Sequence, residues 1–412
     1  RGSSCIIHSV DQQSQVKLYH TLQIDQLSGV AHLNTKIVNG GLRDFSLEWC
    51  SVVCLPIHPR LDKIINFSGK WAGEFQTEHQ PVFHGSFLKE NRSGRTSHAS
   101  YPGIYLGEQT TSETSGHAAA FHLSWTGNHR LRVDKTSDGS VSFQAGELLL
   151  PGEITLKPGE EYESPQLIAL WSQNGFGEVT QRLHAFVRNR IIPNDCSRPV
   201  HFNTWEAVYF DHSEENLFAL AKQAAKVGAE RFVLDDGWFG SRRSDKAGLG
   251  DWEVSKEIYP QGLSALADHV RSLGMEFGLW FEPEMINPDS DLYRKHPDWV
   301  LKVEGLPEIK SRNQFPLDLT KLEVRDYLFE RIGALIRKLS IGYIKWDMNR
   351  DIQHPGDSDG HPIIHDQTRA LYSLIDRIRE SFPNLVIESC SSGGARADYG
   401  KLQRTGRIWP SD

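Results

Sequence analysis

Cysteine is scarce in this chain of 412 residues, and the five present stand apart at Cys5, Cys50, Cys54, Cys196 and Cys390. An odd number at scattered spacings makes no disulfide framework. Cys50 and Cys54 lack the second Cys or His pair that would complete a zinc site. Long apolar runs are missing as well. None approaches the about 18 residues of a membrane-spanning helix, so no membrane partner is expected. Basic charge is not in excess: the net charge is −8 and the isoelectric point about 6.1. That argues against a nucleic-acid partner, whose phosphates call for a basic surface. The 18 histidines form no HExxH, and no GxGxxG opens a helix. The chain starts without an initiator methionine or a signal peptide. A cytoplasmic location is favoured, and secretion stays open.

Aromatics are plentiful, with 11 Trp, 11 Tyr and 19 Phe. Rings at that density suit stacking platforms as well as large cores. Two kinds of patterning divide the chain. Residues 1–190 read as β: short apolar or alternating stretches at 16–22, 45–53, 118–124, 131–133 and 161–170. Turn signals such as Asn39-Gly40-Gly41, Ser137-Asp138-Gly139 and Lys157-Pro158-Gly159 separate them. A helical period first appears at 178–188. This part is expected to be a sandwich of many strands. A polar stretch with two prolines, 189–200, then reads as a linker, with Cys196 in it as a surface thiol.

From residue 191 onward, apolar strands alternate with amphipathic helices. Strands are expected at 200–203, 231–234, 276–281, 342–346, 385–388 and 407–410. Helices are expected at 214–227, 263–273, 324–339 and 365–382. Near-continuous apolar strands joined by helices predict a parallel sheet. Acidic residues stand at the carboxyl ends of five successive strands: Asp235 and Asp236, Glu282 and Glu284, Asp347, Glu388, and Asp412. A (β/α)8 barrel gathers its catalytic groups from many strand ends, whereas an open sheet concentrates them at one switch point. The expectation is therefore a (β/α)8 barrel truncated after about strand six. Eight strands are needed to close it. On this reading the chain is a fragment, inactive as it stands.

The stretch YIKWDMNR (343–350) carries the sharpest chemistry. Strand alternation puts Lys345 and Asp347 on one side and Trp346 on the other. A lysine beside Asp347 keeps the carboxylate ionised, as a nucleophile must be. Cleaving a sugar acetal needs a second carboxyl group to protonate the departing oxygen, about 5 Å away in a retaining enzyme. Asp412 at the sixth strand is the candidate, against the plainer reading of a helix cap. Asp235 and Asp236 suit two hydroxyls of one sugar ring or a hard cation. Trp205, Trp238 and Trp280 offer faces for a sugar to stack on. Arg312 in a long loop suits a hydroxyl or a catalytic carboxylate. Cys390 reads as a wall of the pocket, and Gly393 and Gly394 as points of close approach to a ligand.

FVLDDGWFG (232–240), GLWFEPEMINPDSDLYRKHPDWV (278–300), RNQFPLDLT (312–320), YIKWDMNR and ESCSSGGARADYG (388–400), in this order, closely resemble glycoside hydrolase family 36 α-galactosidases. The likeness is strong over about 195–412 and weaker over the β part, which resembles the family's N-terminal β-supersandwich. The resemblance implies retaining hydrolysis of terminal α-1,6-galactosides such as melibiose and raffinose, with no metal and no organic cofactor. It implies Asp347 as nucleophile and Asp412, in the closing WPSD, as acid/base. Trp205, Asp235, Asp236, Trp280, Arg312, Lys345, Cys390 and Gly393 fall where family members line the galactose subsite. It further implies a complete barrel, a C-terminal β domain and a homo-oligomer, tetrameric in many members. Competing readings are a galactosyl transferase of raffinose-synthase type, an α-N-acetylgalactosaminidase, and a non-catalytic carbohydrate-binding protein.

Overall fold

The structure is a computed structural model that describes residues 3–192 and 198–412. The middle of the expected linker, with Cys196, lies outside the described residues. The molecule is multidomain and rich in β-structure. In the first part, eight strands run in the order Ser3–Val10, Val16–Ile24, Ala31–Asn39, Gln166–Ser172, Ala118–Ser124, Gly103–Gly107, Lys63–Lys70 and Gly73–Pro81, and Glu161–Glu163 adds to Ala31–Asn39 to make a nine-stranded sheet. A four-stranded sheet, Val53–Ile57, Val141–Glu147, His129–Lys135 and Gly85–Asn91, packs across it. Ala118–Ser124 is buried along its whole length. One face, with Ala119, Phe121 and Leu123, meets Leu131, Val133 and Phe143 of the second sheet. The other, with Ala118 and Ala120, lies under the helix Gly175–Phe186 through Val179, Leu183 and Phe186. Burial on two faces is why this strand reads as one apolar run rather than an alternation.

Two expected strands are each broken in two. The stretch 45–53 becomes Phe45–Leu47 and Val53–Ile57, and the stretch 161–170 becomes Glu161–Glu163 and Gln166–Ser172. Pro165 interrupts the second, having no N–H to give the ladder.

In the second part, β1 (His201–Asn203), β2 (Arg231–Leu234), β3 (Glu276–Phe281), β4 (Tyr343–Trp346), β5 (Val386–Ser389) and β6 (Arg407–Ile408) form one six-stranded parallel sheet. Each strand pairs with its predecessor in the chain. The connecting helices are α1 (Glu214–Lys226), α2 (Ser264–Ser272), α3 (Leu322–Leu339) and α4 (Ile364–Ser381). In α3, Val324, Leu328, Ile332, Leu335, Ile336 and Leu339 are buried, a stripe at helical spacing that faces the sheet. Ser213 caps α1, its Oγ accepting the Asn216 N–H.

The two parts meet through polar groups. Thr96 and Thr126 hydroxyls donate to Asp398 at 2.5 and 2.8 Å. Tyr372 of α4 donates to Thr126 Oγ1 at 2.7 Å while its ring joins the core of the β part. His365 Nδ1 lies 2.9 Å from Glu147, and Arg95 Nε donates to the Arg350 carbonyl at 3.0 Å. The hairpin Lys63–Lys70/Gly73–Pro81 reaches the chain just past β6, where Trp71 Nε1 donates to Asp412 Oδ2 at 2.8 Å and Ser411 Oγ donates to Glu74 at 2.9 Å.

Candidate active site

Parallel strands of about four residues leave the next side chains at the rim with nothing from their own strand to bury them. At β4 the alternation holds. Trp346 turns into the helix-side core and donates from Nε1 to Glu284 at 2.8 Å. Lys345 and Asp347 face the opposite way. They line a cavity of about 230 Å³ shared with Trp205, Asp235, Asp236, Trp280, Arg312 and Asp412. Eight of the ten residues that the family resemblance assigned to the site thus converge.

Asp347 is buried. Its Oδ1 accepts the Met348 N–H at 2.8 Å. Its Oδ2 accepts Trp280 Nε1–H at 3.1 Å and Asn349 Nδ2–H at 2.8 Å. The indole reaches it because Trp280 pairs with Lys345 across β3 and β4. Burial works against the charge, yet Lys345, Asn349 and Trp280 outweigh it and hold the carboxyl below its ordinary value. Lys345 Nζ donates to Asp235 Oδ2 at 3.1 Å and lies 4.3 Å over the Trp409 ring. Burial opposes this charge too, but Asp235 and Asp347 keep its pKa above that of a free lysine. Asp235 also accepts from Asn203 Nδ2 at 2.6 Å.

Asp236 belongs to a different pair. Arg242 grips it through Nε at 2.9 Å and Nη2 at 2.7 Å. Burial still raises its pKa, against the pull of that guanidinium. Trp205 is half-buried, with Tyr209 and Phe210 set edge-on to it at 5.2 and 5.1 Å. Arg312 is exposed and donates to Ser392 Oγ at 3.3 Å. Asp412 is exposed at the far wall, where its Oδ1 accepts Trp409 Nε1–H at 2.9 Å and its Oδ2 accepts Trp71 Nε1–H at 2.8 Å.

Cys390 and Gly393 do not line this cavity. Cys390 is buried beside Asp347, whose pKa it helps to lower. Burial, and then the Asp347 charge, push its thiol pKa up, which makes it a poor nucleophile. Gly393, at φ +79°, is a place of close approach, but to protein rather than to the cavity. A Cβ there would clash with Glu74 Oε1 and come within 3.2 Å of Ser411 Cα. Trp238, expected at the rim, is instead fully buried in the core and donates to the Trp280 carbonyl at 3.0 Å. Gly237 at φ +118° turns the chain inward just before it. Among the described residues no group of His, Cys, Asp and Glu is arranged to hold a metal ion, and no helix is long and apolar enough to cross a membrane.

Four lining residues escaped the sequence reading: Phe210, Arg242, Asp245 and Asn349. Asn349 is the one that continued alternation past Asp347 would have found. Trp71, the partner of Asp412, comes from the hairpin of the β part and left no local signal.

Residues 161–412 match the Melibiase family, and residues 2–157 match the glycosyl hydrolase family 36 N-terminal domain. The chain belongs to the family 36 α-galactosidases. It is 42% identical over 387 residues to an α-galactosidase of Escherichia coli, covering 93% of this chain and 54% of that protein. It is 38% identical over 358 residues to α-galactosidase AgaA of Geobacillus stearothermophilus, covering 84% of this chain and 49% of that one. The chain therefore spans about half the length of these relatives. A crystal structure of AgaA in complex with stachyose superposes with a TM-score of 0.96 at 33% identity, covering 99% of this chain and 58% of that one. One with raffinose gives 0.95 at 33%, with the same coverage.

Proposed function

We propose that this family 36 chain carries the active site of a retaining α-galactosidase that removes terminal α-1,6-linked galactose from oligosaccharides of the melibiose and raffinose type. The observation that carries the reading is Asp347. It is a buried carboxylate kept ionised by a lysine and three neutral donors, opening on the same cavity as a second carboxyl group, Asp412. Complexes of a relative with raffinose and stachyose support the substrate class.

In the proposed reaction, Asp412 gives its proton to the glycosidic oxygen while an Asp347 oxygen attacks the anomeric carbon. The bond to the leaving sugar breaks through an oxocarbenium-like transition state, and a covalent galactosyl ester forms on Asp347. Asp412, now a carboxylate, takes a proton from water as that water attacks the same carbon. Galactose leaves with its α configuration kept, and both carboxyl groups return to their first state. Trp205 and Trp280 would stack on the sugar. Asp235, Asp236, Arg312 and Lys345 would bind its hydroxyls, and Cys390 and Gly393 would support the wall from one layer behind. We further infer that the six parallel strands are the first six of a (β/α)8 barrel, with the boundary to the β-supersandwich near 190/191. The whole protein would be a homo-oligomer acting in the cytoplasm without a cofactor.

The test is turnover of p-nitrophenyl α-galactoside by the longest natural form of the protein, beside Asp347→Ala and Asp412→Ala. Proton NMR follows the anomer first released from melibiose. Both variants should lose activity by a factor of about 10³ or more, with α-galactose the first product. Undiminished turnover by Asp347→Ala, or β-galactose as first product, would end the assignment.

A further inference from the structure

One carboxyl group beside the nucleophile has no part in the proposed reaction. Glu282 follows β3 and is fully buried. Its Oε1 accepts the backbone N–H of Asn349 at 2.6 Å, and its Oε2 accepts Gln314 Nε2–H at 3.1 Å. Asn349 in turn donates its carboxamide to Asp347 Oδ2 at 2.8 Å. The same carboxamide oxygen is fixed by the Ser392 N–H at 3.0 Å and the Ser392 hydroxyl at 2.8 Å. A line of contacts thus runs from Glu282 through one backbone N–H to the carboxylate that is to attack.

Glu284, two residues along, shows what an ordinary buried carboxylate looks like in the same loop. Arg396 Nη1 and Trp346 Nε1 each donate to it at 2.8 Å, and despite burial its pKa stays below the usual value. Glu282 forms no ion pair among the described residues. The charged groups facing it are Asp347 and Arg350 from the loop after β4, Arg242 from the loop after β2, and Arg312. Burial acts most strongly and the Asp347 charge next. Together they push Glu282 up to about 7, against the pull of Arg312 and Arg242. The pKa values of two neighbouring buried carboxyl groups are thus pushed apart, Glu284 down and Glu282 up.

We propose that Glu282 is a positioning residue for the nucleophile: through the Asn349 backbone N–H it holds the Asn349 carboxamide on Asp347. The inference rests on reading Asp347 as the nucleophile.

Two substitutions separate the parts of this role. Glu282→Gln keeps an oxygen for the Asn349 N–H but cannot ionise. Glu282→Ala removes the acceptor. Below pH 6, Glu282→Gln should keep kcat on p-nitrophenyl α-galactoside within about threefold of wild type. The ionisation near pH 7 in the wild-type kcat/KM profile should be absent from it. Glu282→Ala should lower kcat at least about tenfold with little change in KM, and Asn349→Ala should cost less in that background than alone. A readout independent of turnover is unfolding against pH. The folded protein holds a proton on Glu282 that the unfolded chain releases above about 4.3. Wild type should therefore lose stability relative to Glu282→Gln as pH rises from there to about 7. That measurement stands even if the protein turns over no galactoside, so failure of the reaction and failure of this inference are told apart. Superimposable pH profiles and stability curves for wild type and Glu282→Gln would overturn the proposal, as would fully additive effects of the two Ala changes. The Gln comparison decides even where Glu282→Ala does not fold.

Discussion

Replacing Lys345 by Met tests the electrostatics under the whole site. The two side chains are similar in length and differ by a charge. Lys345 and Asp235 are 4% and 2% exposed, with Nζ 3.1 Å from Oδ2. Removing one partner of such a pair strands the other charge and costs about 3–5 kcal/mol. Asn203 Nδ2, at 2.6 Å, offsets part of this, so about 3 kcal/mol is expected in urea unfolding at pH 7. The same change removes the strongest charge that holds Asp347 ionised. An opposite charge of this kind is worth about 1–3 pKa units, so the acid limb of kcat/KM should move up by that amount. The sign follows from linkage. A carboxyl group depressed in the folded state contributes stability above its unfolded pKa and loses it as pH falls through the folded one. With Lys345 gone the folded pKa of Asp347 rises, and acid unfolding should begin at higher pH. Adding Asp235→Asn should restore part of the stability, since Asp235 is then no longer a stranded carboxylate, without restoring the acid limb. An acid limb that stays put in Lys345→Met, alongside the loss of stability, would refute the reasoning: Lys345 would then serve Asp235 alone.

Three further outcomes are expected. Arg396→Met strands the buried Glu284 and should lower stability by about 3–5 kcal/mol, read as a fall in the urea midpoint. At the contact of the two parts, Glu147 overcomes burial and raises the His365 pKa above 6.5. That contribution is present below pH 6.5 and lost as pH rises through the folded value, so Tm should fall there in wild type and stay flatter in His365→Gln. An aromatic disulfide reagent at pH 8 should modify the exposed Cys5 and Cys54 at once and the buried Cys50 and Cys390 only after denaturation, because burial pushes the Cys50 thiol up to about 12.

The strand-end acids were legible because short apolar parallel strands bury themselves and leave the next residue at the rim. Alternation then told Lys345 and Asp347 from Trp346 without any knowledge of the fold. The same rule misplaced Trp238, because it assumes the chain leaves the strand straight, and the left-handed Gly237 bends it back into the core. Cys390 and Gly393 lie at the correct strand end but one layer behind the cavity. Distance along the chain cannot show that, because depth depends on what Asp347 and Glu74 place in front of them. Arg242 was invisible for another reason. Its loop carries several basic residues, and only the folded loop shows which one turns inward to Asp236.

The two carboxyl groups of the proposed reaction are held by different parts of the molecule. Asp347 rests on burial and on Lys345, Trp280 and Asn349, all from residues 280–349. Asp412 is exposed and bonded to two indoles, one of them Trp71, 341 positions away in the chain. Its neighbour Ser411 donates to Glu74 of the same hairpin at 2.9 Å, and His98 Nε2 lies 2.6 Å from the Ser392 carbonyl beside Gly393. A Cβ at Gly393 would fill the seam where these groups meet. The β part therefore sets the far wall of the cavity, through a hairpin whose own register says nothing about sugars. Alternation along a strand can locate the carboxylate that its own strand buries. It cannot show the setting that another domain builds, and that asymmetry is why Asp347 could be argued from the alternation in YIKWDMNR, while Asp412 was named from its strand end and from the resemblance of WPSD.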